Sequence, residues 1–92
     1  MTHMLCRNRV ADFLRWKAVF ASHETAHLEA GLRLVSIWRT VEEPNNVFFM
    51  FEVAAVEKAR EFIVNPEAAK AGETSGVIDG EYHFVQDAGG YR

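Results

Sequence analysis

Two histidines, spaced as on successive turns of a helix, are the clearest chemical signal in the sequence. They enclose the string HETAH, residues 23–27, which matches the H-E-x-x-H pattern of metalloproteases. In those enzymes the two histidines bind zinc and the glutamate acts as the general base. A catalytic zinc ion also needs a third protein ligand and an open position for water. The motif therefore raises the hypothesis of a metal-dependent hydrolase, which depends on a third ligand.

The rest of the sequence does not supply that ligand in a suitable place. Gly31 and Arg33 follow the motif and cannot bind zinc, while Glu42 and Glu43 fall in a predicted turn. His83 could serve only if the last strand came close to the histidine helix. The set of ligands stays incomplete, so we expect neither a metal nor another cofactor.

The same helical spacing also produces a continuous stripe along one side of the predicted helix. Residues three and four positions apart share a helix face, which aligns Trp16, Phe20, His23 and His27. One interpretation is structural, with partly buried imidazoles hydrogen-bonded to nearby groups. The other is a small-molecule pocket between helix and sheet, in which imidazole acts as acid or base near neutral pH.

Further candidate residues lie on predicted strands. Trp38 is typical of core packing, and in the pocket interpretation it joins Trp16 and Phe20 as a wall residue. The candidate ligand-binding residues are Trp16, Phe20, His23, His27 and Trp38, and the candidate catalytic residues are His23, His27 and His83.

Composition restricts the class of protein. The chain has 92 residues, a net charge of −3 without a basic stripe, and one cysteine, Cys6. These features indicate a single globular domain over 1–92 that binds no nucleic acid. No apolar run is long enough to cross a bilayer, and one cysteine cannot form an internal disulfide, so we expect a soluble cytoplasmic protein.

The hydrophobic pattern predicts six elements in the order β-α-β-β-α-β. The strands are predicted at 4–10, 32–41, 47–53 and 81–86, and the helices at about 12–30 and 54–64. In the second strand, alternation places Val35 and Ile37 on one face, and Leu34, Ser36 and Trp38 on the other. Pro66 ends or kinks the second helix, residues 67–76 form one or two more turns, and 87–92 form a tail.

This order is that of the α+β ferredoxin-like fold, a four-stranded antiparallel sheet with two helices on one face. The other face then needs a cover. Seven Phe, two Trp and two Tyr are a large aromatic content for a small domain, so we expect the cover to be a second subunit in a homodimer.

Over about residues 9–85 the sequence resembles small bacterial dimeric α/β-barrel proteins related to the antibiotic biosynthesis monooxygenase and cyclase-like superfamily. The similarity rests on D-x-x-x-W-K-x-x-F-x-x-H (12–23), on the E-P-N turn (43–45) and on K-A-R-x-F-x-x-x-P-E (58–67). Trp16 and His23 match the pattern, whereas His27 stands where an arginine or another polar residue is expected.

The resemblance implies a homodimer in which two sheets pack face to face into a barrel, with a pocket between each sheet and its helices. It also implies a small aromatic or polyketide-like ligand and a cofactor-free monooxygenase, cyclase or isomerase activity. Two alternatives remain: a non-catalytic binding or stress-related dimer with structural histidines, and the metal-dependent hydrolase built on HETAH.

Overall fold

The computed structural model describes residues 1–90, which form four strands and four helices. These are β1 (Thr2–Val10), α1 (Phe13–Ser22), α2 (Glu24–Glu29), β2 (Leu32–Arg39), β3 (Asn46–Val53), α3 (Val56–Ile63), α4 (Pro66–Ser75) and β4 (Val77–Gln86). Residues 87–90 belong to neither a helix nor a strand. The last two residues of the predicted tail lie outside the described residues.

The strands form one sheet in the order β2-β3-β1-β4, and every neighbouring pair is antiparallel. This is the predicted ferredoxin-like arrangement. The two central strands bury alternate side chains, as expected where only one face carries helices. The core on that face consists of Met4, Cys6, Val10, Trp16, Leu32, Val47, Phe49, Phe51, Val53 and Ala59.

The predicted single helix over 12–30 is wrong, because the chain breaks its helical path at His23. Asp12 caps α1 by accepting a hydrogen bond from the Arg15 backbone. At the other end the carbonyl of Val19 accepts from Ser22 Oγ at 2.6 Å and lies 2.8 Å from His23 Nδ1. The His23 N–H bonds instead to the Phe20 carbonyl at 3.1 Å, since side chains take the acceptor that a continuing α-helix would use.

The second helical region is longer than predicted. Pro66 does end the preceding helix, because α3 stops at Ile63, but it also stands at the start of α4. Asn65 caps α4 by accepting from the Glu67 backbone at 2.8 Å, and a proline in the first turn loses no helical hydrogen bond. The left-handed Gly76 (φ 80°) ends α4. The chain then enters β4 at Val77, four residues before the predicted start.

A bulge in β2 changes which of its side chains face the helices. Leu34 pairs with Phe51 and Ser36 pairs with Met50, so Val35 is an extra residue on this strand. Beyond the bulge, Ile37 shares the helix side with its partner Phe49, and Trp38 lies on the opposite face. The predicted face of Trp38, shared with Leu34, is therefore wrong, because one inserted residue reverses the alternation.

No helix within residues 1–90 has the length and apolar character needed to cross a membrane.

Candidate functional site

An open cleft of about 870 Å³ lies between the helix side of the sheet and the helices. Its floor includes Met4 and Cys6 of β1, Phe49 and Phe51 of β3 and Tyr82 of β4. One wall comes from α1 and α2, and the other comes from α3 and α4. Cleft volumes of this order are typical of small-molecule sites.

Aromatic rings line the inner part of the cleft. Trp16 stacks on Phe20 with a centroid distance of 4.8 Å, and Phe20 meets Phe49 edge to face at 5.2 Å. Phe20 also stacks on Phe51 at 5.9 Å. The predicted stripe therefore places Trp16 and Phe20 against the sheet, where offset and edge-to-face ring contacts are favourable.

Trp16 is held in the cleft wall by a polar contact with β1. The Asn8 side-chain amide is oriented so that both its oxygen and its nitrogen form hydrogen bonds. The oxygen accepts from Trp16 Nε1 at 3.2 Å, and the nitrogen donates to the Arg7 carbonyl at 3.0 Å. Gly80 of β4 lies beside this amide, and a Cβ there would come within 2.7 Å of the Arg7 carbonyl oxygen. Glycine at 80 thus leaves room for the amide that orients Trp16.

His27 lies within the aromatic cluster, with ring centroids 4.8 Å from Phe20, 5.2 Å from Phe51 and 5.5 Å from Phe62. Burial, and to a lesser extent the charge of protonated His23, lowers the pKa of His27 from 6.5 to about 4. The ring is therefore neutral near pH 7.

The ring nitrogens of His27 have no hydrogen-bond partner among residues 1–90. In the same residues, every buried side-chain nitrogen or oxygen has a partner. Because the His27 nitrogens have none, they must be accessible to solvent. His27 also lines the cleft, so this is where its nitrogens can meet a ligand.

His23 stands beside His27 on the cleft wall but is held differently. Its Nδ1 lies 2.8 Å from the Val19 carbonyl oxygen, which can only accept a hydrogen bond. The Ser22 hydroxyl hydrogen is directed to the same carbonyl, so it does not donate to His23. These partners assign the proton of the neutral ring to Nδ1 and leave the lone pair on Nε2.

The structure does not bring His83 to the other two histidines. His83 pairs with Leu5 across the sheet and points to the face without helices, where Nε2 lies 2.9 Å from Glu81. The expectation that His83 could share a site with HETAH is therefore wrong. Within residues 1–90, no three His, Cys, Asp or Glu side chains group in a way that could hold a metal ion.

Trp38 also lies away from the cleft. It pairs with Phe48 on the face without helices, and 48% of its surface is exposed. The prediction that Trp38 lies in the pocket wall beside Trp16 and Phe20 is wrong, because the bulge in β2 turns its side chain to the other face.

Several cleft residues were missed in the sequence. Asn8, Phe49, Phe51, Phe62, Gly80 and Tyr82 line the cavity, but none of them was assigned to it. The alternation of VFFMFEV could have separated Phe49 and Phe51 from Phe48 and Met50. The pairing of Gly80 with Asn8 joins residues 72 positions apart, and no local pattern indicates it.

Cys6 on the cleft floor is buried, and this burial raises the pKa of its thiol to about 12. The neutral thiol behaves as a small apolar side chain, as expected for a cysteine without an activating partner.

Solved structures with the same fold are numerous. The chain aligns with a candidate antibiotic biosynthesis monooxygenase from Bordetella bronchiseptica at a TM-score of 0.76 and 14% identity, covering 95% of this chain and 96% of that one. An uncharacterized NIPSNAP domain protein from Burkholderia xenovorans aligns at 0.69 and 12% identity, covering 96% and 95%. A candidate antibiotic biosynthesis monooxygenase from Nitrosomonas europaea aligns at 0.66 and 12% identity, covering 96% and 99%.

No model of a known protein family matches the sequence, and no curated protein is significantly similar to it. The structural likeness nevertheless extends over nearly the whole chain. Its low sequence identities establish a shared fold and do not transfer an activity. The chain has the ferredoxin-like fold of antibiotic biosynthesis monooxygenase-like structures.

Proposed function

We propose that the protein binds a small aromatic or polyketide-like molecule in the cleft and transfers a proton to or from it. The observation that carries this proposal is the pair of imidazoles in an aromatic cleft, with the His27 nitrogens and His23 Nε2 free of hydrogen-bond partners within residues 1–90. Ring nitrogens that no protein group engages are available to a ligand in the cleft as hydrogen-bond donors or acceptors.

The physical character of the cleft favours a flat apolar ligand. Phe20, Phe49 and Phe62 offer ring faces and edges, with which an aromatic ligand forms the same offset and edge-to-face contacts. The neutral His27 ring can give or accept a hydrogen bond without the desolvation cost of a buried charge. A ligand with a hydroxyl or carbonyl group on an aromatic frame meets both conditions.

The proposed chemistry begins with His23. Its Nε2 lone pair can remove a proton from an acidic O–H or C–H group of the ligand, while the Val19 carbonyl stabilises the resulting imidazolium through Nδ1–H. His27 can hydrogen-bond to the oxygen on which negative charge develops. Cofactor-free oxygenation, cyclisation and isomerisation can each start from such an anion, and the monooxygenase-like neighbours support the first.

Ligand binding can be measured by tryptophan fluorescence. A Trp38→Phe variant leaves Trp16 as the only tryptophan, so quenching by added naphthol reports on the cleft. We expect saturable quenching, with His27→Leu weakening binding about three- to tenfold through loss of one hydrogen bond. The matched control is His83→Leu on the other face, which should leave binding unchanged. Equal binding by all three proteins would contradict the assigned site.

A second measurement separates proton transfer from simple binding. Anthrone, a three-ring ketone, has an acidic CH₂ group whose exchange with D₂O can be followed by NMR in the absence of oxygen. The proposal predicts faster exchange with the wild-type protein than with His23→Gln at equal anthrone occupancy. Equal exchange rates would favour the non-catalytic binding protein.

We also propose that the face without helices packs against the same face of a second copy. Trp38, Phe48, Met50 and Leu5 lie on this face, and Trp38 is 48% exposed. These residues form an uncovered apolar area beside the charged side chains of the same face, and such an area is typical of a subunit interface. Light scattering coupled to size-exclusion chromatography should give a dimer for the wild type and a monomer for Met50→Glu, whereas a monomeric wild type would contradict this proposal.

A further inference from the structure

Tyr82 is an aromatic residue on the cleft floor that the proposed chemistry does not use. It pairs with Cys6 and therefore faces the helix side of the sheet. Its ring meets Phe84 edge to face at 6.0 Å, yet 47% of its surface remains exposed. Its hydroxyl has no hydrogen-bond partner within residues 1–90.

The position of Tyr82 gives the cleft two polar ends with an apolar floor between them. His27 contacts Phe51 of β3 at one end, and Tyr82 belongs to β4 at the other. Between them on the floor lie Met4 and Cys6 of β1, which carry no strong hydrogen-bonding group in their side chains.

The strand register sets the distance between these ends. Phe51 pairs with Met4, and Met4 pairs with Phe84, so β3 and β4 are two strand spacings apart. This is roughly 10 Å across the sheet, and Tyr82 is a further two residues, roughly 7 Å, along β4. The backbone positions of Phe51 and Tyr82 are therefore separated by about 12 Å.

We propose that Tyr82 is a specificity-determining residue that selects elongated, multi-ring ligands with a polar group at each end. This inference rests on the proposed function, since it concerns the same cleft. A single ring or a naphthalene bound at the histidines is too short to reach the Tyr82 hydroxyl. A frame of about three fused rings spans the floor and places a hydroxyl or carbonyl group within its reach.

Gly80 and Asn8 form the floor of the cleft next to Tyr82. Gly80, two residues before Tyr82 on the same side of β4, has no side chain, and the neighbouring Asn8 amide is engaged with Trp16 and the Arg7 carbonyl. Because a Cβ at Gly80 would collide with this amide, the amide fills the space over Gly80, and a ligand reaches Tyr82 beside it.

Two probes of different length test the inference. Anthraflavic acid is a three-ring quinone with a hydroxyl at each end, and naphthol has two rings and one hydroxyl. Their dissociation constants are measured at pH 6 by Trp16 fluorescence in the Trp38→Phe background, with and without Tyr82→Phe. Phenylalanine keeps the ring and removes only the hydroxyl, which limits any effect on folding.

We expect Tyr82→Phe to raise the dissociation constant of anthraflavic acid about five- to tenfold, which is the effect of one hydrogen bond. The dissociation constant of naphthol should change by no more than about twofold. His27→Leu should weaken the binding of both probes, and His83→Leu should change the binding of neither. If both probes bound and Tyr82→Phe changed their dissociation constants equally or not at all, this inference would be overturned and the proposed function would stand. If neither probe bound the wild-type protein, the proposed function would fail, and the inference with it.

Discussion

The two faces of the sheet contain similar residues in different surroundings. On the helix side, Trp16 and His27 lie among phenylalanine rings and border a cleft. On the other face, Trp38 is half exposed and His83 contacts Glu81. A tryptophan and a histidine thus line a cleft where helices hold them over the sheet, whereas strand alternation turns the other pair to the opposite face.

Charge separates the faces as clearly as burial does. Arg7 and Arg9 both bond to Asp79 on the face without helices, and Arg7 also bonds to Glu81. The pKa of the Asp79 carboxyl is lowered chiefly by its hydrogen bond to Arg9. In the cleft the His27 pKa is lowered instead by burial. Ion pairs therefore stabilise charged groups on one face, whereas burial on the other face disfavours the charged form of His27.

The largest predicted difference is between the two tryptophans. Trp16→Ala removes a fully buried ring and should lower the free energy of unfolding by about 3–5 kcal/mol. Trp38→Ala should cost the isolated subunit about 1 kcal/mol or less, because the side chain is half exposed. Urea unfolding at low protein concentration measures both, and similar losses would contradict the assignment of faces.

Two glycines provide the next comparison. Gly80→Ala places a Cβ against the Asn8 amide and 2.7 Å from the Arg7 carbonyl oxygen, which should cost about 1–3 kcal/mol. Gly72→Ala in α4 meets no atom within 4 Å and should stabilise the helix by up to about 1 kcal/mol. Thermal unfolding should shift in opposite directions, and a neutral Gly80→Ala would show that Asn8 does not occupy this space.

The next effect is a pH dependence caused by His27. Its pKa is about 4 in the folded protein and about 6.5 when unfolded. Between these values the unfolded chain binds a proton that the folded chain does not, so stability falls as the pH is lowered from about 6.5 to 4. The ring is partly solvated, so we expect a loss of roughly 1–2 kcal/mol.

His27→Leu should remove that part of the pH dependence, whereas His83→Leu should retain it. The measurement is urea unfolding at pH 7 and pH 4.5 for the three proteins. An unchanged pH dependence in His27→Leu would show that this ring is not neutral in the folded protein.

The smallest effect is expected at the exposed ion pairs. Asp79→Asn removes the carboxylate that pairs with Arg9 at 2.5 Å and Arg7 at 3.2 Å. Because the lowered Asp79 pKa contributes stability that is lost as the pH falls, the variant should differ from the wild type at pH 7 and converge with it in acid. Added salt should reduce the difference at pH 7. A salt-independent loss would contradict a surface ion pair.

The sequence predicted the fold better than it predicted the site. The apolar run VFFMFEV and the helical spacing of apolar residues within 12–30 are local patterns, and the predicted order of elements is confirmed. The break at His23 was missed because it depends on two side chains that share the Val19 carbonyl. Periodicity cannot show that competition.

The errors within the site have a similar origin. One inserted residue in β2 moved Trp38 to the other face, and a bulge of this kind leaves the composition of a strand unchanged. Asn8, Gly80 and Tyr82 entered the cleft through long-range strand pairing. Trp16, Phe20, His23 and His27 do line one cleft, since their spacing is local, and their part in binding stays a prediction.

We propose that His23 and His27 meet a ligand in the cleft, and that His83 and His3, which both lie on the face without helices, do not. Long-range ¹H–¹⁵N correlation spectra of the imidazole rings, recorded with and without anthraflavic acid, test it directly. We expect the resonances of the His23 and His27 ring nitrogens to shift on binding, while those of His3 and His83 stay in place. Shifts confined to His3 or His83 would contradict it.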